Sequence, residues 1–265
     1  GGGFAVLVSG ELVPANLTGN TGSDNDRNYL AAAGTLKTDF TFPTSGLQWE
    51  NLGITIPAGV HATVPAGVHP GVGRGGFWVL GDLSIQPGAV LKFDGHSPNS
   101  GPIYVQGGGS LTADGIAADP ITFTSWTDDS ISGDTNRDGD IPPKDYTPPY
   151  GGWGGISGGS LSLVHVDVRY ADVVSSGGPV FTVRDSSFAH GTQLLAGTNT
   201  SGGVDATVVI ENNTLTDVGV VPTNPYWVFA RGAGIEVYAG GDTPPLVRNN
   251  RVSGVRGEDP GGGFA

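Results

Sequence analysis

Apolar residues along this chain gather in short runs broken by Gly, Asn and Asp: Phe4–Val8, Gly53–Ile56, Phe77–Leu80, Ala89–Phe93, Ile103–Val105, Pro120–Phe123, Leu161–Val168, Val180–Val183, Ala206–Ile210, Gly234–Val237 and Pro245–Val247. Short β-rich runs bounded by turn residues predict strands. No stretch keeps a helical apolar period with caps at both ends. The best helix candidate, 28–33 (NYLAAA), is under two turns long and runs into Gly34, where a helix stops. The pattern predicts an all-β chain.

Several of these runs share one plan: two or three apolar residues, then Asn or Asp, then a polar turn. Val166-Asp167-Val168-Arg169-Tyr170-Ala171 compares with Arg184-Asp185-Ser186-Ser187-Phe188-Ala189, and Ile210-Glu211-Asn212-Asn213-Thr214-Leu215 with Val247-Arg248-Asn249-Asn250-Arg251-Val252. The matched positions Asp167, Asp185, Asn212 and Asn249 stand 18, 27 and 37 residues apart. A near-constant motif with variable insertions is the mark of a solenoid, in which each coil is one unit and insertions become loops. A lone coil cannot bury its apolar side chains. Stacked coils share a dry interior and hydrogen-bond along the axis at about 4.8 Å per coil. Asn or Asp at the turn tolerates a left-handed backbone and can bond its neighbour one coil away, so these four residues are expected to form a ladder.

Gly (47) and Pro (19) make up about a quarter of the 265 residues, yet 37% hydrophobic content and five Trp argue against a disordered chain. The formal charge is −13, from 25 acidic and 12 basic residues. An acidic surface repels phosphate backbones, which disfavours nucleic acid as a partner and favours divalent cations. There is no Cys, so disulfides are excluded. No apolar run approaches the length of a transmembrane helix, and no membrane insertion is expected. With no Met and no leader-like segment, Gly1 is not read as a translation start, and the chain reads as cut from something longer.

Between residues 81 and 171 the sequence resembles the extracellular right-handed parallel β-helix repeat proteins of the pectate-lyase-like superfamily. The blocks that carry the likeness are GDLSIQPGAVLKFDG (81–95), GSLTADGIAADPITFTSWTDDS (109–130), DTNRDGD (134–140), GGWGGI (151–156) and LSLVHVDVRYADV (161–173). The later Asn-bearing coils extend it to about residue 255, whereas 36–75 fit only loosely. The resemblance implies a right-handed parallel β-helix with loop insertions and an extracellular or cell-surface location. It does not select a function, because the superfamily holds lyases, hydrolases, adhesins and passive stalks.

The sharpest local signal is Asp134-Thr135-Asn136-Arg137-Asp138-Gly139-Asp140, followed by Asp145. Oxygen side chains fall at loop positions 1, 3, 5, 7 and 12, with Gly at position 6, as in a calcium loop of the EF-hand type. Asp stands where Glu usually closes the loop, and Pro142 and Pro143 preclude the usual exit helix. Asp128 and Asp129 lie just upstream and could supply further oxygens. Calcium is the expected cofactor, in an insertion at about 126–150, with a solvated acidic loop as the alternative.

Other chemistry is weaker. Arg137 and Lys144 could serve as a base beside a uronate-neutralising cation, but such a loop more often braces an insertion. The residues of a paired-carboxylate hydrolase occur only as fragments in the wrong order. His61, His69, His96, His165 and His190 lack metal-ligand spacing. Trp78, Trp126, Trp153 and Trp227 could stack on sugar rings, although packing is the commoner fate of Trp. Of the glycosylation sequons, Asn16 and Asn199 are better candidates than Asn212, which has a ladder role.

Residues 1–5 and 261–265 both read Gly-Gly-Gly-Phe-Ala. Joined at that overlap, residues 1–40 read as coils completing a preceding module, and 41–265 as the β-helix proper. The expected role is a structural module of an extracellular fibre, stalk or sheath, built head-to-tail from copies of itself and rigidified by calcium. An adhesin that binds surface carbohydrate is the alternative, and a calcium-dependent polysaccharide lyase a more distant one. An exposed aromatic row on one face would mark the adhesin.

Overall fold

The computed structural model describes residues 3–25, 27–94, 101–135, 152–191, 193–197, 206–218, 234–238 and 243–255. These form a parallel β-helix: every pairing between the named strands is parallel, and the strands fall into three ladders. One ladder, face A, runs through Phe77–Val79, the first half of Ile103–Asp114, the start of Ile156–Val164, Val173–Ser176, Gln193–Gly197 and Ile235–Tyr238. Face B stacks Phe40–Thr41, His61–Val64, Asp82–Ile85, the second halves of Ile103–Asp114 and Ile156–Val164, Val180–Arg184, Thr207–Glu211 and Leu246–Arg248. Face C stacks Gly71–Val72, Val90–Phe93, Ile121–Ser125, Val166–Arg169, Ser187–Ala189, Thr214–Thr216 and Arg251–Ser253. Phe4–Leu12, Arg27–Leu36 and Gln48–Ile56 are long strands that span faces C and A at the start of the column. The short helix candidate at 28–33 is therefore strand, and residues 4–41 are the first rungs of this same column.

In-register stacking builds the core. On face B, Val64, Ile85, Ala113, Leu163, Val183 and Ile210 lie one above another, all buried. On face C, Phe123, Val168, Phe188 and Leu215 do the same. A period of two sends each intervening residue outward, so short alternating runs suffice for strands shared by many coils.

Two left-handed residues flank face C in four successive coils, always five positions apart: His165 and Tyr170, Asp185 and His190, Asn212 and Asp217, Asn249 and Gly254. Their amides carry the ladder round the corners, as in His165 N–H to Arg184 O (3.1 Å), Asp185 N–H to Glu211 O (3.0 Å) and Asn212 N–H to Arg248 O (3.2 Å). The expected run Leu161–Val168 is split by this device at His165. At other corners glycine is required. Gly34 has φ +137°, and a Cβ there would collide with the Gly10 carbonyl oxygen.

The outer ladder joins Asp185, Asn212 and Asn249: Asn212 Nδ2 donates to Asp185 Oδ1 (3.0 Å) and Asn249 Nδ2 to Asn212 Oδ1 (3.2 Å). Asp167 sits elsewhere, because His165 occupies the turn in its coil. It lies on face C, opposite Ser187, whose hydroxyl donates to it (2.8 Å). A second, inner ladder follows one residue on, through Ser186, Asn213 and Asn250. Buried Asn213 accepts the Ser186 N–H (3.1 Å), donates to Val183 O (2.9 Å) and donates to Asn250 Oδ1 (2.9 Å). These bonds satisfy backbone groups that the turn would otherwise bury unpaired.

Asn213→Leu should therefore cost about 3 kcal/mol in urea unfolding, since it strands buried partners, whereas Asn212→Gly, exposed and at positive φ, should cost less than about 1 kcal/mol.

Candidate functional site

The outer side of face C carries an unusual burden of buried charge. Glu50, Gly71 and Lys92 stack in register along it, and Glu50 and Lys92 are each 3% exposed. The chain leaving Ser125 folds back over this side. Lys92 Nζ donates to Gly133 O at 2.6 Å. The Arg27 guanidinium lies 5.4 Å from the Phe4 ring centre and 5.5 Å from that of Trp126, with Glu50 at 3.4 Å. Arg27 thus ties the first strand to the root of the insertion through two cation–π contacts and an ion pair. Further along, Arg169 pairs with Asp167 at 2.6 Å, and Arg74 with Asp94 at 3.4 Å.

Burial and pairing pull these groups in opposite directions. Burial raises the Glu50 carboxyl above its ordinary range, and the Arg27 charge and hydrogen bond offset this only in part. Burial also works against the charge of Arg169. The hydrogen bond and charge of Asp167, with the charge of Asp128, outweigh it and raise that guanidinium. His69 is lowered by burial alone.

The residues expected to hold calcium divide between the root and the loop. Asp128 is buried and its carboxylate is occupied: Thr124 Oγ1 donates at 2.6 Å, Ser130 Oγ at 2.5 Å, and Arg169 Nη1 lies 3.8 Å away. It pins the insertion to face C. Asp129 is half-buried beside it and Asp134 is exposed. Asn136, Asp138, Asp140 and Asp145, with Arg137 and Lys144, lie outside the described residues. Among the described residues no three His, Cys, Asp or Glu side chains are grouped as a metal site. The return of the insertion is anchored by fully buried Trp153, stacked on Phe93 at 3.8 Å and 7°, with its Nε1 donating to Arg169 O at 2.9 Å.

The other tryptophans separate clearly. Trp49 and Trp126 are buried, and Trp227 is outside the described residues. Trp78 is 41% exposed on the outer side of face A, directly below Tyr104 at 36%. Their rings meet edge to face at 5.4 Å, and Trp78 Nε1 donates to Gly75 O at 3.1 Å. This is an aromatic pair across two coils. Asn16 is exposed in the 3-10 turn Pro14–Asn16, with no left-handed backbone, and Asn199 lies outside the described residues.

Both ends of the column are open among the described residues. Val247 stacks on Ile210 and Val252 on Leu215, both of which are fully buried, yet Val247 is 44% and Val252 41% exposed. They occupy core positions, and among the described residues no further strand pairs beyond them. At the other end, Phe4–Leu12 pairs along one edge only, and Leu7 is exposed. No family model, curated protein or solved structure matches the chain.

The raised Glu50 pKa has a defined sign. Its neutral form is favoured in the fold, so its contribution to stability is largest below the unfolded value and is lost as pH rises through the folded one. Glu50→Gln removes that slope. Its unfolding free energy relative to the parent should rise between acidic and neutral pH, as measured by chemical denaturation at each.

Proposed function

We propose that this chain is a structural module of an extracellular fibre, stalk or sheath of the pectate-lyase-like β-helix type, assembled head-to-tail with copies of itself. The observation that carries the reading is the parallel column itself, whose outermost described rung leaves Val247 and Val252 exposed at core positions. An exposed strand edge templates further pairing, and native proteins normally blunt it. A parallel column is polar, so the edge it presents at one end complements the edge at the other. Such a contact is heterologous and does not close, and repeated association yields a filament. The role is structural rather than catalytic.

Calcium fits this role as a brace. The insertion is already tied to the early rung Arg27–Leu36 through Arg27 and to Val90–Phe93 through Lys92. A cation held by Asp134, Asn136, Asp138, Asp140 and Asp145 would stiffen the loop between its anchors at Asp128 and Trp153. A carbohydrate-binding surface adhesin is the second reading, favoured by the exposed Trp78–Tyr104 pair.

Two experiments test the proposal. Negative-stain electron microscopy of concentrated protein should show end-to-end filaments about one column wide, which Val247→Lys with Val252→Lys converts to single particles. A parent protein that stays monomeric by light scattering at every concentration sinks the fibre reading. Separately, about 5 mM calcium should raise the melting temperature by several degrees through preferential binding to the folded state, and Asp138→Ala with Asp140→Ala should abolish the rise. An unchanged melting curve in the parent removes the brace.

A further inference from the structure

On the flank of the column, a concavity of about 400 Å³ is lined by Ala117, Pro120, His165, Asp185, Asn212 and Thr214, with Val166, Ser186 and Ser187 behind them. It exists because successive coils turn the same corner in different ways. The preceding coil turns through residues 115–120, closed by an Ile116–Asp119 bridge and the Asp119 N–H to Ile116 O bond at 2.9 Å. The next coils turn tightly, with His165, Asp185 and Asn212 at positive φ. The longer turn overhangs the shorter ones, and its alanine and proline form a wall over a polar floor.

That floor is ordered by the ladder. His165, Asp185 and Asn212 come from consecutive coils and so stand about 4.8 Å apart along the axis. Ser187 and Thr214 project beside them from face C, in register with each other. Part of this polarity is used internally: Asp185 Oδ1 accepts from Asn212, Asn212 Oδ1 from Asn249, and Ser187 donates to Asp167. Among the described residues, the His165 imidazole, the second carboxylate oxygen of Asp185 and the Thr214 hydroxyl make no hydrogen bond. The concavity therefore offers a mixture of donors and acceptors at fixed spacing, held on a hydrogen-bonded scaffold.

We propose that this concavity binds a neutral, hydroxyl-rich ligand, a short saccharide. No Lys or Arg lines it, and the chain carries a formal charge of −13, so an anion gains nothing there and meets repulsion. One exposed carboxylate gives a cation little, since solvent-exposed ion pairs contribute at most about 1 kcal/mol. A sugar hydroxyl both donates and accepts and so suits imidazole, carboxylate and hydroxyl together, while its C–H faces suit Ala117 and Pro120. The site lies on the flank, and the assembly proposed above uses the ends, so either reading can fail alone.

The test is an amide-resolved NMR titration of the whole chain with cellohexaose, mannohexaose and chitohexaose, alongside hexagalacturonate and hexalysine. At least one neutral hexasaccharide should shift resonances of residues 165, 185, 212 and 214. His165→Asn with Thr214→Val should weaken that binding about tenfold with an unchanged melting temperature, because Asn tolerates the left-handed backbone and Val keeps the strand. Three outcomes overturn the assignment: no shifts from any neutral probe at about 10 mM, stronger shifts here from the charged probes, or an affinity the double variant leaves intact.

Discussion

Parallel hydrogen bonding along one axis is the constraint on which everything else in this molecule rests. Each strand is too short to be stable alone, and most contribute only one or two side chains to the interior. Registered stacking turns these small contributions into continuous apolar files, such as the one from Val64 to Ile210. It also makes stability cumulative, because each coil contacts only its neighbours. The corners must preserve the axial hydrogen bonds while reversing the chain, and this explains the left-handed residues, the glycines and the buried inner ladder of Ser186, Asn213 and Asn250.

The same constraint governs where charge can be buried. Glu50 and Lys92 lie on the outside of a strand ladder, where solvent would ordinarily reach them, and Asp128 is buried at the root of the insertion beside them. They are covered because the insertion folds back along face C. Pairing makes that tolerable: Arg27 meets Glu50, Lys92 meets a loop carbonyl, and Asp128 receives two hydroxyls. Such pairs add little net stability but cost heavily when broken, so they fix the path of the insertion more than they strengthen the fold.

The fold was legible because solenoid coils repeat a few physical demands. Alternating apolar runs and Asn-bearing turns were enough to predict stacked coils, and the ladder through Asp185, Asn212 and Asn249 follows from the tolerance of Asn and Asp for positive φ. The frame slipped by two residues at Asp167 because its coil turns on His165, a residue type that rarely announces a left-handed corner. The Asn motif points to the first Asn of each pair as the ladder residue, although the second is the more buried one. The strands His61–Val64 and Asp82–Ile85 also lie outside the expected apolar runs. The repeated Pro-Ala-Gly-Val at 57–60 and 65–68 could have revealed the turns around the first, since Gly59 and Gly67 both sit at positive φ. The charged side of face C had no sequence signal. It depends on which loop lies over which strand, and local pattern does not encode that.

The unvarying five-residue interval between left-handed corners has a consequence for how such a chain can change. Two corners and the four residues between them form a constant side of the prism, and length differences between coils are absorbed elsewhere in the circuit. A whole coil could thus be gained or lost by duplication or deletion without altering the cross-section. Reach along the axis and shape across it are separately adjustable quantities.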